Sequence, residues 1–382
     1  MCKKALSAFL IIINLVVMTG CWGYKEINEL PIVIGAAIDK ISKDEYLITV
    51  EVLKTSEIPG GTAESKTTIL QMTGKTVFEA IRKFIVKNGR FLYWANMKVI
   101  IIGKKVAEDE EVASVLDLFF RDVEIRSEGR VIIAEDKAAD IFKENMKKGE
   151  AISMQILDTM DNAKKLSKIY PLKMHEVIDL VSLRGKNLVL PILSPKDIYK
   201  ETPSLSFKSA VFKKNKMIGT IIDEEVRSYR LLLNEEDGGL RIEDVVFGDE
   251  NSKVTYEIEG SKTKIRPLYK DGKFIMEIDI TTDAIIAEVM NYKLDFIRKD
   301  VRDYMKEQLE NTIRDNCNEF LSKVQKDFDS DVLGFGELVK NKYPKVWKEN
   351  ENNWDNIFPN ITTIINVKVN LKGSALYSKI IE

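Results

Sequence analysis

The sequence predicts a multi-domain α+β protein, and three observations carry this prediction. Runs typical of strands and of helices alternate through the first 135 residues, whereas strand-like runs dominate after residue 205. A long amphipathic helix then follows those strands. The chain has 382 residues, a length that usually corresponds to two or three domains. Hydrophobic residues make up 45% of it, which is enough to form a core. We expect a mixed α/β N-terminal region and a C-terminal antiparallel sheet packed by the long helix.

The chain begins with the pattern of an export signal that ends in a cysteine. Two lysines precede the apolar run 5–18, and the run leads to Gly20 and Cys21. This pattern predicts a bacterial lipoprotein whose signal peptide, residues 1–20, is cleaved between Gly20 and Cys21. Cys21 would then carry S-diacylglycerol and N-palmitoyl groups. Two acyl chains hold a protein stably on a membrane, where one chain does not.

The same segment has two other interpretations, an uncleaved transmembrane anchor and a secretory signal with an incidental cysteine. The segment 5–22 has 18 residues, which is near the lower end of the roughly 17–25 residues that a membrane-spanning helix needs. Asn14 in the middle and the charged pair Lys25 and Glu26 soon after disfavour a spanning helix. Trp22, beside the lipid site, suits the membrane interface.

The predicted elements of the N-terminal region, 21–190, follow from their apolar periodicity. The first two strands form a hairpin about residues 42–44. The last three helices form either a separate subdomain, 136–190, or a helical layer on the sheet of residues 21–135. The elements in chain order are strands 32–38 and 46–52, helix 76–87, strand 98–103, helix 106–120, strand 130–134 and helices 137–146, 152–165 and 174–183.

A proline-rich stretch marks the predicted linker, 191–204, before the C-terminal domain, 205–382. Strand 273–281 alternates between apolar and polar residues. Helix 294–328 has apolar residues at steps of three and four, and its mixed spacing favours packing across a sheet over a strict coiled coil. The other predicted elements are strands 207–212, 216–222, 254–259 and 263–268, a helix or extended turn at 224–233, and a final strand at 361–371.

Composition argues against nucleic-acid binding and against a disulfide framework. Removing residues 1–20 takes away two lysines and no acidic residue, so the net charge of −2 becomes −4, and no long basic tract is present. Cys317 is the one mature cysteine besides Cys21, and it lies in the apolar stripe of the long helix. We therefore expect Cys317 in the core as a free thiol.

The residues that catalysis or metal binding would need are sparse in the sequence. His175 is the one histidine, which is too few for a histidine-based zinc site, and we expect it on the surface or at a helix cap. Gly334 and Gly336 form only a G-x-G with no preceding parallel strand, which disfavours a phosphate loop. The sequence therefore indicates a protein that is not an enzyme and has no metal or cofactor, although spacing alone leaves paired-carboxylate catalysis open.

Trp347 and Trp354 are seven residues apart, so they fall on one face of a helix. One interpretation places both indoles in the core beside the long helix. The other makes them an exposed aromatic patch that faces a partner.

Three colinear segments resemble the Ger(x)C family of spore germination lipoproteins. The segment 20–30 (GCWGYKEINEL) is similar to the lipobox and mature start of that family, with Gly23 where the family usually has Asp. The segment 210–219 (AVFKKNKMIG) is the second match. The third and strongest runs from 330–336 (SDVLGFG) into 342–347 (KYPKVW). The resemblance covers essentially the whole chain.

The resemblance implies a multi-domain α+β fold, no catalytic activity, and a role as the lipoprotein C subunit of a nutrient germinant receptor. The implied partners are integral-membrane A and B subunits. The nutrient pocket is assigned to the B subunit, so no small-molecule substrate is expected to bind here. The implied location is the outer face of the spore inner membrane. The implied structural or interaction residues are Trp22, Asp331, Gly334, Phe335, Gly336, Pro344, Trp347 and Trp354.

Two other functions are the alternatives. An extracytoplasmic solute-binding lipoprotein of a transporter would show two similar α/β lobes, whereas the two halves of this sequence differ. A cell-envelope hydrolase would need a catalytic cluster of a kind that the sequence does not show.

Overall fold

Two mixed sheets with helices packed on them make up the described part of the chain, which confirms the predicted α+β class. The computed structural model describes residues 31–54, 66–122, 124–143, 151–165, 169–194, 208–236, 238–248, 250–290 and 298–372. The predicted signal and lipid site, with Gly20, Cys21 and Trp22, lie outside these residues.

The first sheet has nine strands, in the order β3-β2-β1-β4-β5-β7-β8-β9, with β6 paired to one end of β5. Strands β1, β4, β5 and β7 run parallel in the middle, and antiparallel pairs flank them. Strand β4 is buried along its whole length, because helices cover both faces of the sheet. The bounds are β1 Ile32–Ser42, β2 Glu45–Lys54, β3 Lys66–Gly74, β4 Val99–Ile102, β5 Arg130–Ala134, β6 Leu172–Lys173, β7 Val189–Leu193, β8 Lys208–Lys213 and β9 Lys216–Ile222.

Helices cover both faces of the first sheet. The helices are α1 Val77–Asn88, α2 Lys104–Asp109, α3 Val112–Arg121, α4 Ala138–Lys143, α5 Ile152–Lys165 and α6 Met174–Ser182. Helices α1, α2, α3 and α6 share one core cluster, and α4 and α5 share another on the opposite face. Helices α4, α5 and α6 are therefore layers on this sheet. The single helix predicted at 106–120 is instead two helices, because Glu110 and Glu111 adopt extended backbone conformations.

Two buried carboxylates fix helices α4 and α5 to the strands. Asp39 accepts hydrogen bonds from the N–H groups of Ala138 and Ala139, at 2.8 and 2.7 Å. Glu51 accepts from the N–H groups of Ile152 and Ser153, at 2.9 and 2.8 Å. These are first-turn groups that have no partner within their own helix, so each carboxylate satisfies a helix N-terminus inside the core.

The second sheet has the order β10-β11-β12-β13, and a long helix crosses its buried face. Its strands are β10 Gly239–Phe247, β11 Glu250–Lys270, β12 Lys273–Met290 and β13 Thr362–Lys372, and α7 Asp223–Leu232 precedes them. The crossing helix, α8 Lys299–Ser322, continues into a π-helical turn, Lys323–Asp327. Its buried stripe has the predicted spacing and consists of Val301, Met305, Leu309, Ile313, Cys317, Phe320 and Leu321.

Two predictions for this sheet need correction. The sheet is mixed and not antiparallel throughout, because β13 runs parallel to β12. The connection through α8 and the helices after it is long enough to return the chain in the same direction, as a parallel pair requires. The strands predicted at 254–259 and 263–268 are one strand, β11, with a register irregularity between Ile258 and Gly260.

The predicted linker does not coincide with the division between the two sheets. Strand β7 pairs with β8, as in the pair Val189 and Val211, and β8 pairs with β9. The first sheet therefore continues to Ile222, and the predicted domain 205–382 contributes two strands to it. A pattern of prolines marks an irregular segment in a chain, but it cannot show that the strands on both sides pair with each other.

Candidate functional site

A buried aspartate joins the segments of the strongest sequence match. Asp331 is only 3% exposed. Its Oδ1 accepts hydrogen bonds from the N–H groups of Gly334 and Phe335, at 2.8 and 2.9 Å. Its Oδ2 accepts from the N–H of Gly336 and the indole Nε1 of Trp354, at 2.8 and 2.9 Å. One carboxylate thus holds the start of helix α9, Phe335–Lys342, and a tryptophan from a later helix. We call these five residues, together with the segment 185–187 and Trp347, the Asp331 junction.

Two opposing effects act on the charge of this carboxyl. Burial raises the pKa of Asp331 to about 6, and the four hydrogen bonds work against that rise because they favour the ionised form. The neighbouring Lys186 is half-buried, its desolvation lowers its pKa, and the negative charge of Asp331 opposes that shift. The stem of Lys186 lies against Gly334, so this lysine closes one side of the junction.

The same segment is bonded to the first sheet. The backbone oxygen of Asp331 accepts a 2.7 Å hydrogen bond from the N–H of Asn187, two residues before β7. Ser330 Oγ donates to the backbone oxygen of Phe212 in β8, at 2.6 Å. Lys213 Nζ lies 2.5 Å from Asp329 Oδ2. Residues 329–331 are therefore fixed to the first sheet, while the side chain of Asp331 organises the helices beside the second.

Both C-terminal tryptophans are buried in the junction. Trp347 lies in α10, Pro344–Asn350, and Trp354 begins α11, Trp354–Ile357. Their ring centroids are 5.1 Å apart in an edge-to-face arrangement, and Trp354 also meets Phe274 of β12 at 5.6 Å. Neither indole forms an exposed patch. Pro344 occupies the first position of α10, where its missing N–H removes no helical hydrogen bond.

A close glycine–glycine contact completes the junction. A Cβ built on Gly336 would lie 2.6 Å from the Cα of Gly185, and one on Gly185 would lie 2.6 Å from Cη2 of Trp347. Gly185 also has a φ of +85°, a conformation that other residues rarely adopt. The sequence had not singled out Gly185, because a glycine before a proline-rich stretch looks like an ordinary turn residue.

A second polar cluster, in which two arginines are buried and the carboxylate they share is exposed, lies between α7, β10 and α8. Arg227 and Arg241 both bind the carboxylate of Glu224, at 2.6 and 3.2 Å. Burial raises the pKa of the Glu236 carboxyl and raises the pKa of the Cys317 thiol to about 12. Because the thiol stays protonated at neutral pH, Cys317 is a core side chain and not a nucleophile, as its place in the apolar stripe had predicted.

The remaining candidate residues for chemistry are not brought together. His175 is half-buried at the surface, and its Nδ1 lies 3.1 Å from the backbone oxygen of Ser127. Within the described ranges, no group of three or more histidine, cysteine or acidic side chains is arranged to hold a metal ion. Among the helices of the same ranges, none combines the length and apolar character that a membrane span requires.

The two sheets and the helices packed on them have the architecture of a known germination protein. The chain resembles the crystal structure of the GerBC protein with a TM-score of 0.58 at 21% identity, covering 91% of this chain and 99% of that one. Residues 23–195 match the family model "Spore germination protein N-terminal domain", and residues 208–375 match "Spore germination B3/GerAC like, C-terminal". The chain belongs to the Ger(x)C family of spore germination proteins.

Similar proteins of Bacillus subtilis (strain 168) match over nearly their full length. Spore germination protein YndF is 26% identical, covering 97% of this chain and 98% of the relative. Spore germination protein B3 is 25% identical, covering 93% and 94%. Spore germination protein KC is 21% identical, covering 93% and 92%.

Proposed function

We propose that this protein is a lipid-anchored, non-catalytic subunit of a spore nutrient germinant receptor. The observation that carries the proposal is the match of both family models, in order, along 23–195 and 208–375. The export pattern that ends at Cys21 supports attachment through a diacylglyceryl, N-palmitoyl cysteine on the outer face of the spore inner membrane. Its proposed partners there are the integral-membrane A and B subunits.

A lipid anchor would serve such a subunit by raising its effective concentration beside partners in the same membrane. The Asp331 junction would keep the surfaces of the two sheets in a fixed relation, because the adjoining Ser330 is hydrogen-bonded to β8 of the first sheet and Trp354 packs against Phe274 of the second. A partner that binds one sheet would therefore meet a preorganised second surface, which lowers the conformational cost of assembly.

Replacement of the anchor residue tests this proposal. In Cys21→Ala the thiol that accepts the lipid is gone, so we expect the protein in the soluble fraction and a slow or absent response of spores to nutrients. Cys2→Ala, the same change within the leader, is the control and should leave both unchanged. A normal nutrient response from soluble, unlipidated protein would refute the proposal.

A further inference from the structure

Helix α1 presents an apolar stripe to solvent. Phe78 and Val86 are 47% and 89% exposed, and they lie eight residues apart on one face of the helix. Phe91, just after the helix, is 56% exposed. We call these three residues the α1 stripe. Behind it is a groove of about 330 Å³ between α1 and α3, lined by half-buried side chains that include Ile85 and Leu118. Clustered exposed apolar side chains mark a surface that binds a partner or a membrane.

The stripe is surrounded by positive charge. Residues 75–91 contain one acidic residue, Glu79, whereas the whole chain has a net charge of −2. The basic residues of this segment are Lys75, Arg82, Lys83, Lys87 and Arg90. The far side of the groove carries Asp122 and Glu124, so the positive charge is confined to the α1 side. Apolar side chains flanked by lysine and arginine are typical of helices that lie on anionic bilayers.

The chain enters the first sheet beside this stripe. Val33 N–H donates to the backbone oxygen of Tyr93, and Tyr93 N–H donates to that of Pro31, both at 2.9 Å. Tyr93 is two residues from Phe91. Pro31 is the tenth residue after Cys21, and ten extended residues span at most about 35 Å. A lipid on Cys21 would therefore hold this side of the first sheet near the bilayer.

We propose that the α1 stripe and its flanking basic residues contact an anionic lipid surface, so that the first sheet docks on the membrane through α1. This inference rests on the proposed lipid anchor at Cys21. The lipid surface is favoured over a protein partner because the tether, the protruding apolar side chains and the net positive charge meet on one side of the domain.

A fluorophore placed in the stripe tests the contact. Once Cys21 is lipidated, Cys317 is the other cysteine of the mature chain and it is buried, so Val86→Cys introduces an accessible thiol. The labelled lipoprotein is reconstituted in vesicles of phosphatidylcholine and phosphatidylglycerol that contain a lipid-borne quencher. Ile242→Cys, on an exposed apolar side chain of β10 in the second sheet, is the matched control. We expect quenching at position 86 to be at least about threefold greater than at position 242.

The role of charge is tested in the same assay. Replacing Arg82, Lys83 and Lys87 by glutamine should remove at least about half of the quenching at position 86. The anchor itself should still carry the protein with the vesicles in flotation. Circular dichroism confirms that the variant keeps its fold.

The outcomes separate this inference from the anchor on which it rests. A protein that floats with the vesicles, but whose position 86 is quenched no more than position 242, overturns docking and leaves the anchor intact. A native protein that does not float overturns both. Quenching at position 86 that requires an added receptor subunit assigns the stripe to a protein partner and overturns the lipid contact.

Discussion

Replacing Gly185 by alanine tests whether the close contact in the Asp331 junction stabilises the protein. The new Cβ would lie 2.6 Å from Cη2 of Trp347 and 2.8 Å from the Cα of Gly336. One of these neighbours is backbone, so a simple rotamer change cannot relieve the overlap. Gly272 provides the matched control, since its φ of +75° is similar and a Cβ built there has no neighbour within 4 Å.

The expected magnitudes follow from two separable costs. A non-glycine residue in a left-handed conformation loses about 1–2 kcal/mol, and both variants incur this loss. Overpacking in a tight core costs about 1–3 kcal/mol more, and only the change at Gly185 incurs it. We therefore expect Gly272→Ala to lower the free energy of unfolding by about 1–2 kcal/mol and Gly185→Ala by about 2–5 kcal/mol.

Urea unfolding of a form that begins at residue 22 measures both values. Tryptophan fluorescence reports on the junction directly, because Trp347 and Trp354 lie within it. The slope of unfolding with urea should be unchanged, so that a shift in midpoint reflects stability. Equal losses for the two variants, within about 0.5 kcal/mol, would refute the inference that the approach of the two glycines is tight.

Three further predictions concern buried side chains. Trp354→Phe removes one hydrogen-bond donor to Asp331 and should lower the free energy of unfolding, measured in urea, by about 1–3 kcal/mol. Trp347 makes no hydrogen bond to Asp331, so a loss no larger than that of Trp347→Phe would contradict this. Because the native pKa of Asp331 is raised to about 6 from 3.8, its contribution to stability is full below pH 4 and is lost as pH rises through 6. Acidification from pH 7 to pH 5 should therefore raise the free energy of unfolding of the native protein more than that of Asp331→Asn. The exposed Asp355→Asn is the control. A difference in free energy of unfolding between the native protein and Asp331→Asn that does not change with pH would count against the raised pKa. Cys317, with its pKa near 12, should react with a thiol reagent at pH 8 only after unfolding, so fast labelling of the folded protein would disprove its burial.

Local patterns in the sequence determine much of the fold. The hairpin of β1 and β2 was predictable because its strands are bounded by a short polar turn. The stripe of α8 was predictable because its apolar residues recur at helical spacing and all face one sheet. The direction of β13 was not predictable. Alternation of apolar and polar residues shows which side chains share a face of a strand, but it does not show which strand pairs with it or in which direction. The same limit explains why the pairing of β8 and β9 with the first sheet was not predictable.

The family resemblance drew attention to Asp331, Gly336 and Trp354, but it gave them no geometry. The structure shows that one carboxylate binds the other two residues and that this contact is buried. Gly185 was missed because its importance comes from a contact with residues some 150 positions later in the chain. No periodicity or spacing in a single sequence reports such a contact.

The parallel pairing of β13 with β12 constrains the order in which the molecule can be completed. Eleven residue pairs join Ile275–Ile285 to Thr362–Lys372, so β12 leaves the ribosome well before the strand that pairs with this side of it. Until then one side of β12 exposes its unpaired backbone groups, which attract other strands. A premature stop before Ile361 would leave that side open permanently, and quality-control proteases would meet a chain that cannot complete its second sheet.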